Sequence, residues 1–202
     1  MRKLVGAIFS VMMLVSSSAF AAKVNPLYQP AGNEVAGNPN GSVTVVEFFD
    51  YNCGYCRAIY PQLNNLIEKD HNVRLLYREY PVLSPRSLLP AQAALAAQNQ
   101  GKYSELHSMM MSASSPLSEN EINDLAKSAG INTAKLDSDM NSNRVMDQIQ
   151  TNLSIGQALN IQGVPSFIIA RTTPPSKQKA KVLVGPSIED LQQAISRAEN
   201  SR

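Results

Sequence analysis

The pattern of apolar and polar positions divides the chain into a few clear segments. Ser42 to Phe49 (Ser-Val-Thr-Val-Val-Glu-Phe-Phe) is β-branched and aromatic, which predicts a strand. After a short polar turn, Asp50-Tyr51-Asn52, the apolar residues Ile59, Leu63, Leu66 and Ile67 recur at helical spacing. Pro61 falls inside that helix and should kink it rather than end it. Val73 to Tyr80 reads as a second strand, parallel to the first through the helix, and Pro81 and Pro85 end it. The stretch from about Arg86 to Asn160 has helical patterning. Pro90 suits a first helical residue before Ala91 to Asn99, with Gly101 as the stop. Ser118 and Glu121 form a capping box for a helix through Ser128, which Gly130 ends. Val145, Ile149, Leu153 and Leu159 mark one apolar face of another helix. Ser166 to Ala170 and Lys181 to Val184 predict an antiparallel hairpin around a Pro- and Lys-rich loop, Thr172 to Lys179. Ser187 caps a last helix carrying Leu191 and Ile195. The order is βαβ, then helices, then ββα.

The N-terminus has a different character. Arg2 and Lys3 precede an apolar run from Leu4 to Val15, then serines and Ala19-Phe20-Ala21. A basic start, a short apolar run and an Ala-x-Ala end describe a secretory signal peptide, with cleavage expected after Ala21. The run is shorter than the roughly 20 residues that span a bilayer. Residues 22–41, rich in Asn, Pro and Gly, are expected to form an extension before the first strand, and residues 42–202 one domain. Without Arg2 and Lys3, the basic residues equal the acidic ones in number. That balance carries no electrostatic footprint for nucleic acid.

The candidate chemistry lies in the two cysteines, Cys53-Gly54-Tyr55-Cys56. A signal peptide would place them in an oxidising compartment, where disulfides persist. A purely structural disulfide closing so short a loop would gain only about 2 kcal/mol of loop entropy. A zinc site needs about four clustered ligands, and only His71 and His107 are available. A redox-active dithiol is favoured, because Cys53 falls between a strand and a helix. There, unpaired backbone N–H groups and the helix dipole stabilise a thiolate. Gly163-Val164-Pro165-Ser166-Phe167 enters the later strand. Taken alone, Pro165 is a strand-entry proline.

Together these residues resemble the thioredoxin superfamily, and within it the DsbA family of secreted thiol–disulfide oxidoreductases. The resemblance is carried by Val46-Glu47-Phe48-Phe49-Asp50-Tyr51-Asn52-Cys53-Gly54-Tyr55-Cys56 and by Gly163-Val164-Pro165. It spans most of residues 40–200. It implies an α/β thioredoxin fold with an inserted helical subdomain at about 86–160. The Gly54-Tyr55 pair departs from the Pro-His of the best-known DsbA pattern and matches DsbC-type isomerases, whereas Val164 before Pro165 is DsbA-like.

The resemblance implies a periplasmic protein that introduces disulfides into secreted proteins. The alternatives are an isomerase or reductase kept reduced by a membrane relay, or a secreted envelope protein with an inert disulfide. Cys53 would be the exposed attacking sulfur, its pKa lowered, and Cys56 the buried resolving thiol. The resemblance places Glu47 beneath the pair as a proton acceptor near Cys56. A buried carboxylate with a raised pKa suits that task. The backbone at Val164 and Pro165, if that bond is cis, would bind substrate by strand addition. The expected partners are unfolded or partly folded secreted proteins and a membrane redox partner, either a quinone-linked oxidase or a reductant relay. No cofactor is expected. His107 and His71 are expected on helix surfaces. Met109, Met110 and Met111 are expected as helix core and edge, and Lys177, Lys179 and Lys181 as a solvated hairpin.

Overall fold

The computed structural model describes residues 26–113, 116–172 and 181–201. Strand β1 is Val35–Gly37 and β2 is Val43–Phe49; helix α1 is Gly54–Lys69 and β3 is Val73–Glu79. Helices α2 (Leu88–Ala97), α3 (Tyr103–Ser112), α4 (Glu119–Ser128), α5 (Thr133–Met140) and α6 (Asn143–Ala158) follow. Strands β4 (Ser166–Arg171) and β5 (Val182–Val184) and helix α7 (Ile188–Asn200) complete the described chain.

The sheet runs β1-β3-β2-β4-β5. Among the described strands only β2 and β3 pair in parallel, with Val43 opposite Val73 and Phe49 opposite Glu79. β4 lies antiparallel to β2, and β5 antiparallel to β4. β2 is therefore central, and every one of its residues is buried. Alternation sends Val43, Val45 and Phe49 into the main core with Ile59, Leu63, Leu191 and Ile195. Val46 and Phe48 face a smaller cluster with Leu27, Leu76, Tyr80 and Ile168. α6 helps to cover this second face, and Gly156 permits its approach. A Cβ there would lie 2.4 Å from the Tyr80 ring.

Several elements differ from the sequence expectation. β1 lies inside the stretch expected to be an extension, and it pairs antiparallel with the edge of β3. Tyr77 N–H donates to the Glu34 carbonyl, extending the contact. α2 begins at Leu88, so Pro90 is its third residue rather than its first. The first-turn N–H groups have no intrahelical partners, so that position tolerates proline equally well. Pro61 does not interrupt α1, and its ring lies on the exposed side. The capping boxes at Ser118–Glu121 and Ser187–Asp190 are both formed. Gly101 and Gly130 end their helices at positive φ. Residues 1–21, Lys177 and Lys179 lie outside the described residues, while Lys181 is exposed. Met110 and Met111 are core and Met109 is half-buried.

Candidate active site

The β2–α1 junction builds the site. The Asp50 carbonyl accepts the Cys53 N–H at 3.0 Å, closing the turn and making Cys53 the N-cap of α1. At this cap the Cys53 sulfur takes the place that a Ser or Asp oxygen usually fills. It accepts the Cys56 N–H at 3.1 Å. Both cysteines are free thiols. The Cys53 pKa is lowered to about 7, first by the Cys56 thiol beside it, then by the N–H groups of Cys56 and Tyr55. Burial and the Asp50 charge oppose the shift. Burial raises the Cys56 pKa, and the neighbouring Cys53 raises it further. One thiol is therefore poised to ionise near neutral pH and the other to hold its proton.

Cys53 was expected to be exposed, but it is only 6% exposed, while Gly54 and Tyr55 are exposed. The Val164–Pro165 loop lies against it. The Val164 carbonyl oxygen lies 3.5 Å from the Cys53 sulfur. Beyond it, the Tyr55 hydroxyl donates to the Pro186 carbonyl at 2.8 Å, and its ring lies over Gly185. The Val164–Pro165 bond is cis. The β2–β4 ladder begins at Ser166, so the Val164 backbone lies outside it. Gly185 N–H donates to the Pro165 carbonyl, tying this loop to the end of β5.

Glu47 lies on the core face of β2 and is 1% exposed, with neither carboxylate oxygen partnered. Burial raises its pKa to about 8, and the charges of Cys53 and Glu79 reinforce that. Its own charge in turn opposes ionisation of Cys56. Glu47, Cys53, Cys56, Val164 and Pro165 thus converge on one end of the sheet. Glu79, not singled out in the sequence, is a second buried acid on the same face. It accepts the Tyr103 hydroxyl at 2.7 Å, and burial raises its pKa to about 8.

His107 corrects another expectation. It is 1% exposed rather than on the surface, ringed by Phe49, Tyr51, Tyr60, Tyr77 and Tyr103. Its Nδ1 lies 2.8 Å from the Tyr51 hydroxyl, its Nε2 is unpartnered, and burial lowers its pKa to about 3. The sequence did contain the signal: Tyr103, Leu106, His107, Met110 and Met111 form an apolar stripe at helical spacing, with His107 on it. His71 is exposed, as expected. Among the described residues no cluster of His, Cys, Asp and Glu could hold a metal ion.

A thiol held at a helix start opposite a cis-proline loop, on a mixed sheet with a parallel central pair, defines a dithiol protein of thioredoxin fold. The chain belongs to the thioredoxin family, whose model, described as Thioredoxin, matches residues 31–183, and within the superfamily it is DsbA-like. It is similar to a thioredoxin-like oxidoreductase from Silicibacter pomeroyi DSS-3. The two are 37% identical with a TM-score of 0.79, over 89% of this chain and all of that one. It is 25% identical to the thiol:disulfide interchange protein DsbA of Bordetella parapertussis, over 64% of each chain. It is also 25% identical to Na(+)/H(+) antiporter NhaA 3 of Salinispora tropica, over 69% of this chain but 22% of the antiporter. The chain thus spans under two thirds of both curated relatives. Among the described residues no helix is long and apolar enough to cross a membrane.

Proposed function

We propose that this protein is a periplasmic thiol:disulfide oxidoreductase that introduces disulfides into secreted, partly folded proteins. The observation that carries the reading is the contrast between the two thiols. Cys53 caps α1 and is stabilised as a thiolate, while Cys56 is sealed in the core. In the oxidised protein a client thiolate attacks Cys53, the Cys53–Cys56 bond breaks, and a mixed disulfide forms. Cys56 departs with the electron pair and takes the proton held on Glu47, whose raised pKa keeps a proton available near neutral pH. A second client thiolate then attacks the client sulfur, and Cys53 leaves as a thiolate. The client has lost two electrons and the dithiol has gained them.

Tyr55 brings no positive charge near Cys53, so the thiolate is stabilised by N–H groups and by Cys56 alone. The result is an oxidant milder than one with an inter-cysteine imidazolium. The Val164 backbone would pair with an extended client chain, a mode that tolerates many sequences. A membrane partner, a quinone-linked oxidase in this reading, would restore the disulfide. The N-terminal sequence supports secretion, either free or attached to an envelope surface.

Acid quench followed by alkylation with a mass tag reads the redox state of Cys53 and Cys56 in cells. The expected result is mainly disulfide, with Cys53→Ser abolishing oxidation of a reduced client protein. A mainly dithiol form would overturn the direction in favour of an isomerase or reductase. Full client oxidation by Cys53→Ser would reduce the pair to an inert staple.

A further inference from the structure

Asp50 was read in the sequence as part of a polar turn, yet it is 2% exposed and its oxygens reach two separate loops. Its backbone carbonyl holds the Cys53 N–H. One carboxylate oxygen accepts the Asn52 N–H at 2.8 Å. The other accepts both the Val82 and the Leu83 N–H at 3.0 Å each. Val82 and Leu83 follow β3 and expose large apolar side chains, 45% and 51% accessible. The same two loops meet again at Asn52, whose side-chain amide donates to Ser87 Oγ at 3.1 Å.

We propose that Asp50 is a positioning residue that clamps the Val82–Leu83 ledge to the Cys53 turn, so that the ledge and the reactive sulfur move as one body. The proposal rests on the function proposed above and adds a residue to it. One carboxylate serves three N–H donors on two segments, and no neutral side chain of similar size can do that. An Asn amide offers one acceptor oxygen and would turn its own N–H groups toward at least one backbone donor. The clamp also has an electrostatic effect, because its charge lies close enough to Cys53 to disfavour the thiolate. The N–H groups of Val82 and Leu83 offset part of that charge. Other polar groups near Cys53 include Cys56, the Val164 carbonyl oxygen 3.5 Å from the sulfur, and Arg57, which donates to the Tyr51 carbonyl at 3.4 Å, with Glu47 below. The ledge therefore tunes Cys53 without touching it. An apolar client segment resting on Val82 and Leu83 would strengthen or weaken those two hydrogen bonds, and with them the field at the sulfur.

The experiment is a thiolate titration of Cys53 by ultraviolet absorbance, paired with amide hydrogen exchange, on the reduced full chain. Asp50→Asn should raise the acid constant of Cys53 by about three- to tenfold, the effect of removing one nearby charge across a partly buried gap. Exchange at the Val82 and Leu83 amides should also accelerate. A merely structural residue would alter the exchange and leave the titration in place. Val82→Pro deletes one donor and leaves the Cys53 turn intact. It should shift the titration the opposite way, and it serves as the test if Asp50→Asn does not fold. A titration unmoved by the folded variants, or moved with the opposite signs, overturns the clamp. A wild-type Cys53 that forms no thiolate near pH 7 would instead overturn the proposed function itself.

Discussion

Glu34 and Glu47 are both glutamates, both buried to within 1% of completeness, and their surroundings are opposite. Glu34 is saturated. Its oxygens accept the Ala31 N–H, the Gln148 amide and the Gln98 amide at 2.8 to 3.0 Å, and Arg78 stands 3.7 Å away. Glu47 has no partner on either oxygen. A buried carboxylate that is fully satisfied is an architectural tie. One left bare is expensive for the fold, and its raised pKa fits the proton store proposed for Glu47. The first carboxylate joins the N-terminal segment, β3, α6 and the turn after α2. The second sits where sulfur chemistry would need it.

The largest effect should come from breaking the tie. Glu34→Ala leaves the buried Arg78 guanidinium without its ion partner and should cost about 3–5 kcal/mol, read as a lower denaturant midpoint. The same kind of change at the other acid should act in reverse. Glu47→Gln removes an unpaired buried charge and should gain about 1–3 kcal/mol at pH 8 while slowing disulfide exchange, measured by denaturation and by stopped-flow client oxidation. The pH dependence sharpens this. The folded-state pKa of Glu47 lies above its unfolded value, so the folded chain binds more protons. Its contribution is then complete below about pH 4.5 and is lost as pH rises toward about 8. Glu47→Gln should flatten that decline, and the part that remains belongs to Glu79, shifted in the same direction.

His107 falls between the two acids, with one nitrogen satisfied and one bare. Its pKa is lowered, so its contribution is present above about pH 6.5 and is lost as pH falls toward about 3. His107→Phe should cost about 1–3 kcal/mol at neutral pH, because it leaves the buried Tyr51 hydroxyl without that partner, and should reduce the acid-side slope. An unchanged acid-side slope would mean that the imidazole is charged or solvated in the fold.

The contrast also explains what the sequence could reveal. The β2–α1–β3 unit was legible because its apolar periods are long and the cysteines punctuate them at a junction. Both capping boxes and the glycine stops were legible because their chemistry is local. β1 was not, since Val35-Ala36-Gly37 has little strand character of its own and pairs only because β3 offers an edge. α5 lies inside the stretch read as helical but was not delimited, because it is short and polar and only Leu136 and Met140 among its residues are buried. The clamp at Asp50 and the tie at Glu34 depend on partners more than thirty positions away. Periodicity does not register such pairs.

Arg78 also sets how far the chain can be trimmed. Its guanidinium donates to the carbonyls of Pro26, Leu27 and Gln29, so these residues act as a latch across the end of the sheet. A processing enzyme cutting before Pro26 leaves the latch closed. A cut only a few residues later would remove those acceptors and uncover a guanidinium that is 2% exposed with the latch in place, leaving Glu34, 3.7 Å away, as its counterweight.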